Sequence, residues 1–389
     1  MISRAEKAFI MLDYMTLRLI WWLILGVLLV GFAIMDGFDL GVAILHPFVA
    51  RTDTQRRVSL NTIAPVWEGN QVWFILGGGA VFAAWPLLYA VSFSGFYLAM
   101  LLVLLSLILR PVAITFRGKM EAHGWRQTWD WLFFVSGLLP ALLFGVAFGN
   151  LLLGAPFHLD HTMRSIYEGG LIGLLSPFAL LSGVVSVTMI VMQGAAWLSH
   201  KTEGVVADRA RWIGPIAALL LVLLFIIAGI WIATTVDGFM IVDGGDPNGP
   251  SNPAYKTVVA DRGAWLYNYA LFKWPAAAPA LTCVGALAAA VLMATRRSGL
   301  ALLSSSIAVG GVVTTAGFSM YPFLLPSSTH PNDSLTIWDA SSSQMTLGLM
   351  LGAVIFFLPI ILAYTSWVYY VLRGRVTETA IEQGDDYYY

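Results

Sequence analysis

Three carboxylates stand inside runs that otherwise read as lipid-spanning. Asp36 and Asp39 lie in Met35-Asp36-Gly37-Phe38-Asp39-Leu40-Gly41, and Glu68 in Trp67-Glu68-Gly69-Asn70-Gln71. A carboxylate at membrane depth costs at least ~2.5–3.5 kcal/mol on insertion scales. Acids kept there suggest proton movement, or hydrogen bonds that hold helices together. Asp36 and Asp39 are three apart, so on a helix they share a face. With inner helix ends expected at 46 and 56, Asp36 lies roughly 15 Å deep and Glu68 roughly 18 Å deep at 1.5 Å per residue. Antiparallel neighbours would bring these two carboxyls to similar depth. Asp39 is close enough to the inner end to act instead as a helix cap. Asn61, Pro65 and Glu68 fall on one side of the second expected helix. Pro65 has no N–H for the Asn61 carbonyl, which frees that oxygen for water. The pattern predicts a hydrated cytoplasmic half-channel ending at carboxylates. Arg110, followed by Pro111, could be a counter-ion for one of the acids or could snorkel to the surface.

Other chemistries find little support. Haem iron needs axial His, Met, Cys or Tyr ligands from within a bundle. His46, His123, His158, His161, His200 and His330 fall at helix ends or in connections, and the methionines pair with no mid-span histidine. The expectation is a chain that ligates no haem or catalytic metal itself. Cys283 is the single cysteine and has no partner for a disulfide or a thiolate cluster. No phosphate loop, nucleophile elbow or zinc signature is present. Gly77-Gly78-Gly79 reads as close helix packing, and Asp339 could cap the last helix.

The frame for these residues is a membrane bundle. Of the 389 residues 58% are hydrophobic and only 11% charged, with a mean hydropathy of +0.78; soluble chains carry about 25% charged residues. The net charge of −1 gives no bulk attraction for nucleic acid. A span needs about 20 mainly apolar residues. The expected spans are 14–46, 56–84, 86–116, 126–153, 171–200, 206–236, 264–295, 300–325 and 338–372, nine in all, with eight the alternative if Ala84-Trp85-Pro86 does not divide the second from the third. The first run is too long for a signal h-region and reads as a retained helix. Met11 would serve as well as Met1 for a start, and the tail 382–389 is expected to be mobile.

Alternate connections and the tail hold Arg51, Arg56, Arg57, Arg117, Lys119, Arg126, Lys201, Arg209, Arg211, Arg296, Arg297, Arg373 and Arg375. The other connections hold only Arg164, Lys256 and Arg262, while Arg4, Lys7 and Arg18 run against the trend. The positive-inside rule then places the N-terminus in the periplasm and the C-terminus in the cytoplasm. Trp21 and Trp22 fit an outer aromatic belt, Trp129 and Trp131 an inner one. The segment 243–253, rich in Gly, Pro, Asp and Asn, forms turns.

Taken together, these stretches resemble subunit II of the cytochrome bd-type quinol oxidases, including the cyanide-insensitive branch. The resemblance rests on Asp36-Gly37-Phe38-Asp39-Leu40-Gly41, Trp67-Glu68-Gly69-Asn70-Gln71-Val72-Trp73, Phe82-Ala83-Ala84-Trp85-Pro86, Ser94-Gly95-Phe96-Tyr97, Arg110-Pro111, Val146-Ala147-Phe148-Gly149-Asn150-Leu151 and Trp338-Asp339-Ala340-Ser341-Ser342-Ser343-Gln344. It covers about 13–375. It implies an all-α polytopic fold of about nine helices, arranged as two four-helix bundles (14–153 and 171–325) and a peripheral helix (338–372), with tails 1–13 and 373–389. It also implies a bacterial inner-membrane complex that oxidises quinol, reduces dioxygen to water and is electrogenic. Haem b and haem d would reside in the partner subunit I. Quinol would be the substrate, a quinone could serve as a structural lipid, and membrane lipid and small single-helix accessory subunits would be further partners. The family places an acid at the position of Glu68 in a cytoplasmic proton route, with Asp36, Asp39 and Trp67 nearby. Two other readings stand beside this one: a stand-alone proton-coupled transporter, which would also need buried acids in a helix bundle, and a purely scaffolding subunit.

Overall fold

The structure, a computed structural model, describes residues 12–383. The short leader and the tail end at 384–389 lie outside the described residues. Eight helices among those described are long and apolar enough to cross a membrane. They belong to an all-α frame whose first helix, α1 (Tyr14–Val49), runs for 36 residues. At 1.5 Å per residue that is about 54 Å, well beyond a hydrocarbon core of about 30 Å. Nothing in α1 interrupts the hydrogen-bond ladder before Pro47, in its last turn. From Asp36 to His46 the helix is buried on all sides.

The expected span 56–84 is not one helix. Polar α2 (Asp53–Asn61) starts at Thr52, whose hydroxyl accepts from Gln55 N at 3.2 Å, and stops before a run of turns at 62–66. Helix α3 (Trp67–Ala84) starts afresh. Two causes act together: Pro65 offers no N–H to the ladder, and the Thr62 hydroxyl donates to Ser59 O at 2.7 Å, drawing the backbone into a local turn. Pro86 opens α4 (Pro86–Gly95), as expected of a proline at a helix start. A single residue, Phe96, then separates it from α5 (Tyr97–Phe116). The remaining spanning helices are α6 (His123–Leu153), α7 (Pro177–Lys201), α8 (Gly204–Thr234), α10 (Ala277–Ala294), α11 (Ser298–Met320) and α12 (Gln344–Val371). A five-residue helix, α9 (Tyr267–Leu271), precedes α10.

The expected span 264–295 loses its first part to short helical turns around Pro275. Helix α12 begins six residues later than expected and is capped by Ser343, which accepts from Thr346 N at 3.2 Å. Asp339 is therefore not its cap. It binds Lys256 Nζ at 2.8 Å and accepts from Thr336 N at 2.8 Å. Trp21 is not a belt residue either: it is buried, and its Nε1 donates to Leu347 O at 3.0 Å.

Helix α1 is the hub, in contact with α3, α6, α7 and α11, while α7, α8, α10 and α11 pack on one another. At one end three two-stranded antiparallel hairpins close the connections: β1–β2 (Phe157–Leu159, Ser165–Tyr167), β3–β4 (Asp237–Gly244, Lys256–Arg262) and β5–β6 (Phe323–Leu325, Leu335–Thr336). The turn-rich segment 243–253 forms the tip of the second. Buried Arg18 reaches it from α1, donating to Pro247 O at 2.7 Å, Gly249 O at 3.1 Å and Ser341 Oγ at 2.7 Å. At the other end the arginine-rich connections meet. Asp130 accepts from Arg117 Nε at 2.6 Å and from Arg56, and it faces His46 Nε2 at 2.9 Å.

Candidate functional site

Three glycines let α1 sink among its neighbours at the level of the acids. A Cβ on Gly41 would lie 2.2 Å from Ile190 O, one on Gly194 2.4 Å from Gly41 C, and one on Gly137 2.5 Å from Leu40 O. Only residues without side chains permit backbones this close. Beside this crossing Phe38 stacks on Trp197, with ring centroids 3.9 Å apart and planes at 13°. Tyr369 of α12 meets both rings edge-on. The aromatic wall fixes the face of α1 that carries the carboxylates.

On that face Asp36 and Arg110 form a two-pronged ion pair. Arg110 Nη1 lies 2.5 Å from Asp36 Oδ1, and Nη2 lies 3.2 Å from Oδ2. Arg110 Nη1 is also 3.9 Å from Asp39 Oδ2. All three residues are fully buried. Asp39 Oδ2 accepts from Asn70 Nδ2 at 2.9 Å, and Asn70 Oδ1 accepts from the Tyr369 hydroxyl at 2.5 Å. A polar line therefore runs Asp36, Arg110, Asp39, Asn70, Tyr369 across four helices. Asp39 Oδ1 takes no hydrogen bond from any described residue. The line gathers groups that can accept, share and pass a proton. Replacing Tyr369 by Phe should leave Asn70 Oδ1 without its donor, at about 1–3 kcal/mol for a buried unsatisfied group. A lowered thermal midpoint of the detergent-purified complex would report it.

The expectations for the acids divide here. Asp36 and Asp39 do share a face. Asp39 is ten residues from the end of α1 and hydrogen-bonded within the cluster, so it is not a cap. Arg110 does not snorkel; it is the counter-ion of Asp36. Glu68 is not packed beside Asp36. It sits in the first turn of α3 on an exposed surface of the chain, because the break at 62–66 resets the phase of the helix. Trp67 is half-buried against the core. Asn61 is buried at the end of α2 and donates to Arg57 O at 2.8 Å, while Pro65 is exposed. They do not line one side of a continuous helix. Asn70 and Tyr369 were not foreseen. Asn70 is two residues from Glu68 and could have been found as the inward polar residue of that turn; Tyr369, in an aromatic helix end, carries no such signal.

A family model for cytochrome bd terminal oxidase subunit II matches residues 17–372. The chain belongs to the cytochrome bd subunit II family. Cytochrome bd-I ubiquinol oxidase subunit 2 of Escherichia coli K12 is 48% identical over 373 residues, covering 96% of this chain and 98% of the relative. The cytochrome bd ubiquinol oxidase subunit 2 of Bacillus subtilis is 30% identical over 358 residues, covering 92% and 96%. The bd oxidase structure from Geobacillus thermodenitrificans matches with a TM-score of 0.67 at 16% identity, covering 92% of this chain and 99% of that one, a likeness of fold. Membership in the cytochrome bd family makes this a multi-pass subunit of a bacterial respiratory oxidase that contains haem and has a subunit I partner. It gives no support to the stand-alone transporter.

A haem would need a strong axial ligand facing a cavity. An apolar intramembrane cavity of this subunit, about 240 Å³, is walled by Phe32, Leu40, Phe144, Phe178 and their apolar neighbours, with Met189 as its one sulfur and no histidine. Buried His46 is instead packed against Asp130. These residues do not fit a haem.

Proposed function

We propose that this chain, as subunit II of a cytochrome bd-type quinol oxidase, carries protons from the cytoplasm to a haem-bearing subunit I that reduces dioxygen to water. The observation behind this reading is the buried line from Asp36 through Arg110 and Asp39 to Asn70 and Tyr369. Two carboxyls face one guanidinium, so a proton on the pair balances the charge that the membrane disfavours. Asn70 orients the Asp39 carboxyl that holds that proton, and the Tyr369 hydroxyl fixes Asn70 in turn. Glu68 serves as the acid presented to the partner: an exposed carboxylate within a membrane bundle is costly against lipid, and a polar subunit interface removes that cost.

The arginine-rich end faces the cytoplasm and the hairpin end the periplasm, as the positive-inside rule requires. Haem b, haem d and quinol oxidation belong to subunit I. The apolar cavity, with Ser182, Ser186, Thr315 and Ser319 as its hydroxyls, suits a quinone retained as a structural lipid. Small single-helix subunits would cover the exposed apolar flanks.

Glu68→Gln in the assembled oxidase tests the proton role. Gln keeps the size of Glu and can still hydrogen-bond across the interface, so haem content should be unchanged. Quinol oxidation and proton uptake should fall by about 10²-fold or more, the range for loss of an acid–base group. Normal turnover would remove Glu68 from the mechanism, and lost haem would point to scaffolding instead.

A further inference from the structure

The hairpin end of the molecule carries a cluster that the proton route does not use. His158 lies on β1, Glu168 directly follows β2, and His330 lies in the connection after β5. His158 Nδ1 and Glu168 Oε1 are 2.8 Å apart, and the two imidazole centroids are 5.1 Å apart. One ligand atom from each of the three lies within 4.8 Å of the others. All three are at least partly exposed, so an ion can reach them from water.

The backbone beneath them is fixed. Ala155 N donates to Pro326 O at 2.9 Å, and Ser328 N donates to Ala155 O at 3.0 Å. The buried Ser327 hydroxyl donates to Phe157 O and accepts from His330 N at 3.1 Å. Thr329 Oγ1 also donates to Phe157 O, at 3.1 Å. Glu168 N donates to Pro156 O at 2.9 Å. The carbonyl before His158 and the amide of His330 are thus tied to one serine, although the two histidines are far apart in sequence. A His158–Glu168 pair alone would not need the third ring held over it from another connection.

We propose that His158, Glu168 and His330 bind a divalent transition metal ion of the Zn²⁺ class. Two imidazoles and a carboxylate are a borderline-soft set that Zn²⁺ takes at about 2.0–2.2 Å. Ca²⁺ and Mg²⁺ prefer sets made of oxygen. Three protein ligands leave a position for water. Neighbouring Asp160 is outside this group of three; its Oδ1 closes the β1–β2 turn, accepting from the Thr162 hydroxyl at 2.7 Å and from Arg164 N at 3.0 Å. A bound ion would staple the connection between α6 and α7 to the one between α11 and α12.

The test uses the purified oxidase complex, stripped with chelator and titrated with Zn²⁺ alone against a chromophoric competitor. The wild type should bind one Zn²⁺ that is weakened in both His330→Asn and Glu168→Gln. Loss of a direct ligand should exceed the roughly 10–100-fold cost of losing an outer-shell partner. Haem content and turnover should be unchanged, and Zn²⁺ should raise the thermal midpoint of the wild type only. Equal stoichiometry and affinity in wild type and variants would overturn the proposal. Should neither variant assemble, Co²⁺ titration of the wild type decides: the visible bands of a nitrogen-ligated four- or five-coordinate ion support the site, and their absence overturns it.

Discussion

Arg110→Met should destabilise the subunit by about 3–5 kcal/mol, the cost of removing one partner from a buried ion pair. The size follows from geometry. Asp36 takes both prongs of the guanidinium, at 2.5 and 3.2 Å, and neither residue reaches solvent. With the cation gone, two neighbouring carboxyls share an apolar site, with Asn70 as their one hydrogen-bond donor among the described residues. Yield of haem-loaded complex and its thermal midpoint should both drop. Arg110→Met combined with Asp36→Asn should recover much of the loss, because removing both charges of a buried pair is often close to neutral. If Arg110→Met melts with the wild type, the ion pair does not hold these helices. If the double variant is stable but slow in quinol oxidation, the cluster's task is chemical as well as structural.

Gly41→Ala should be nearly as damaging without touching any charge. Its Cβ would meet Ile190 O at 2.2 Å and Gly194 at 2.8 Å, so the obstruction is backbone and cannot rotate away. Overpacking commonly costs 1–3 kcal/mol, occasionally more; a whole helix that must back off places this variant at the upper end, about 3 kcal/mol. Separating α1 from α7 would also tilt the face bearing Asp36 and Asp39 away from Arg110 and Asn70. Gly26→Ala is the control, since nothing lies within 4 Å of its added methyl. The comparison is the thermal midpoint of the two complexes. Equal midpoints would show that the α1–α7 crossing can yield.

Much of this architecture could be read from residue order. Long apolar runs and alternating arginine-rich connections fix the helices, because lipid leaves a backbone few alternatives. Asp36 and Asp39 announce themselves as acids in such a run, and three-residue spacing puts them on one face. What could not be read was helix phase. Pro65 with Thr62 stops a helix that composition alone continues, and that interruption sends Asn70 inward and Glu68 outward. Arg110 was legible as a charge but not as a partner, since pairing depends on which side of α5 meets α1. Tyr369 was beyond reach altogether: its role comes from α12 packing against α1 and α3, a contact between the two ends of the chain. The hairpins were hidden for another reason. Their strands are two to eight residues long and lie inside segments marked chiefly by turn residues.

The order in which the chain is made gives the first helix an unusual position. Arg18, Asp36 and Asp39 all lie on α1, the first described helix to leave a ribosome. Several of their partners come much later: Arg110 on α5, Pro247 and Gly249 in the β3–β4 connection, and Ser341 just before the last spanning helix. Synthesis at about 5–20 residues per second separates the first of these groups from the last by tens of seconds. Through that interval α1 holds charged groups without their final contacts. Arrival of Ser341 is thus also the moment at which the charged groups of α1 gain their last partner, and a nascent chain cut short before it would present an unsatisfied first helix to the cell's membrane quality control.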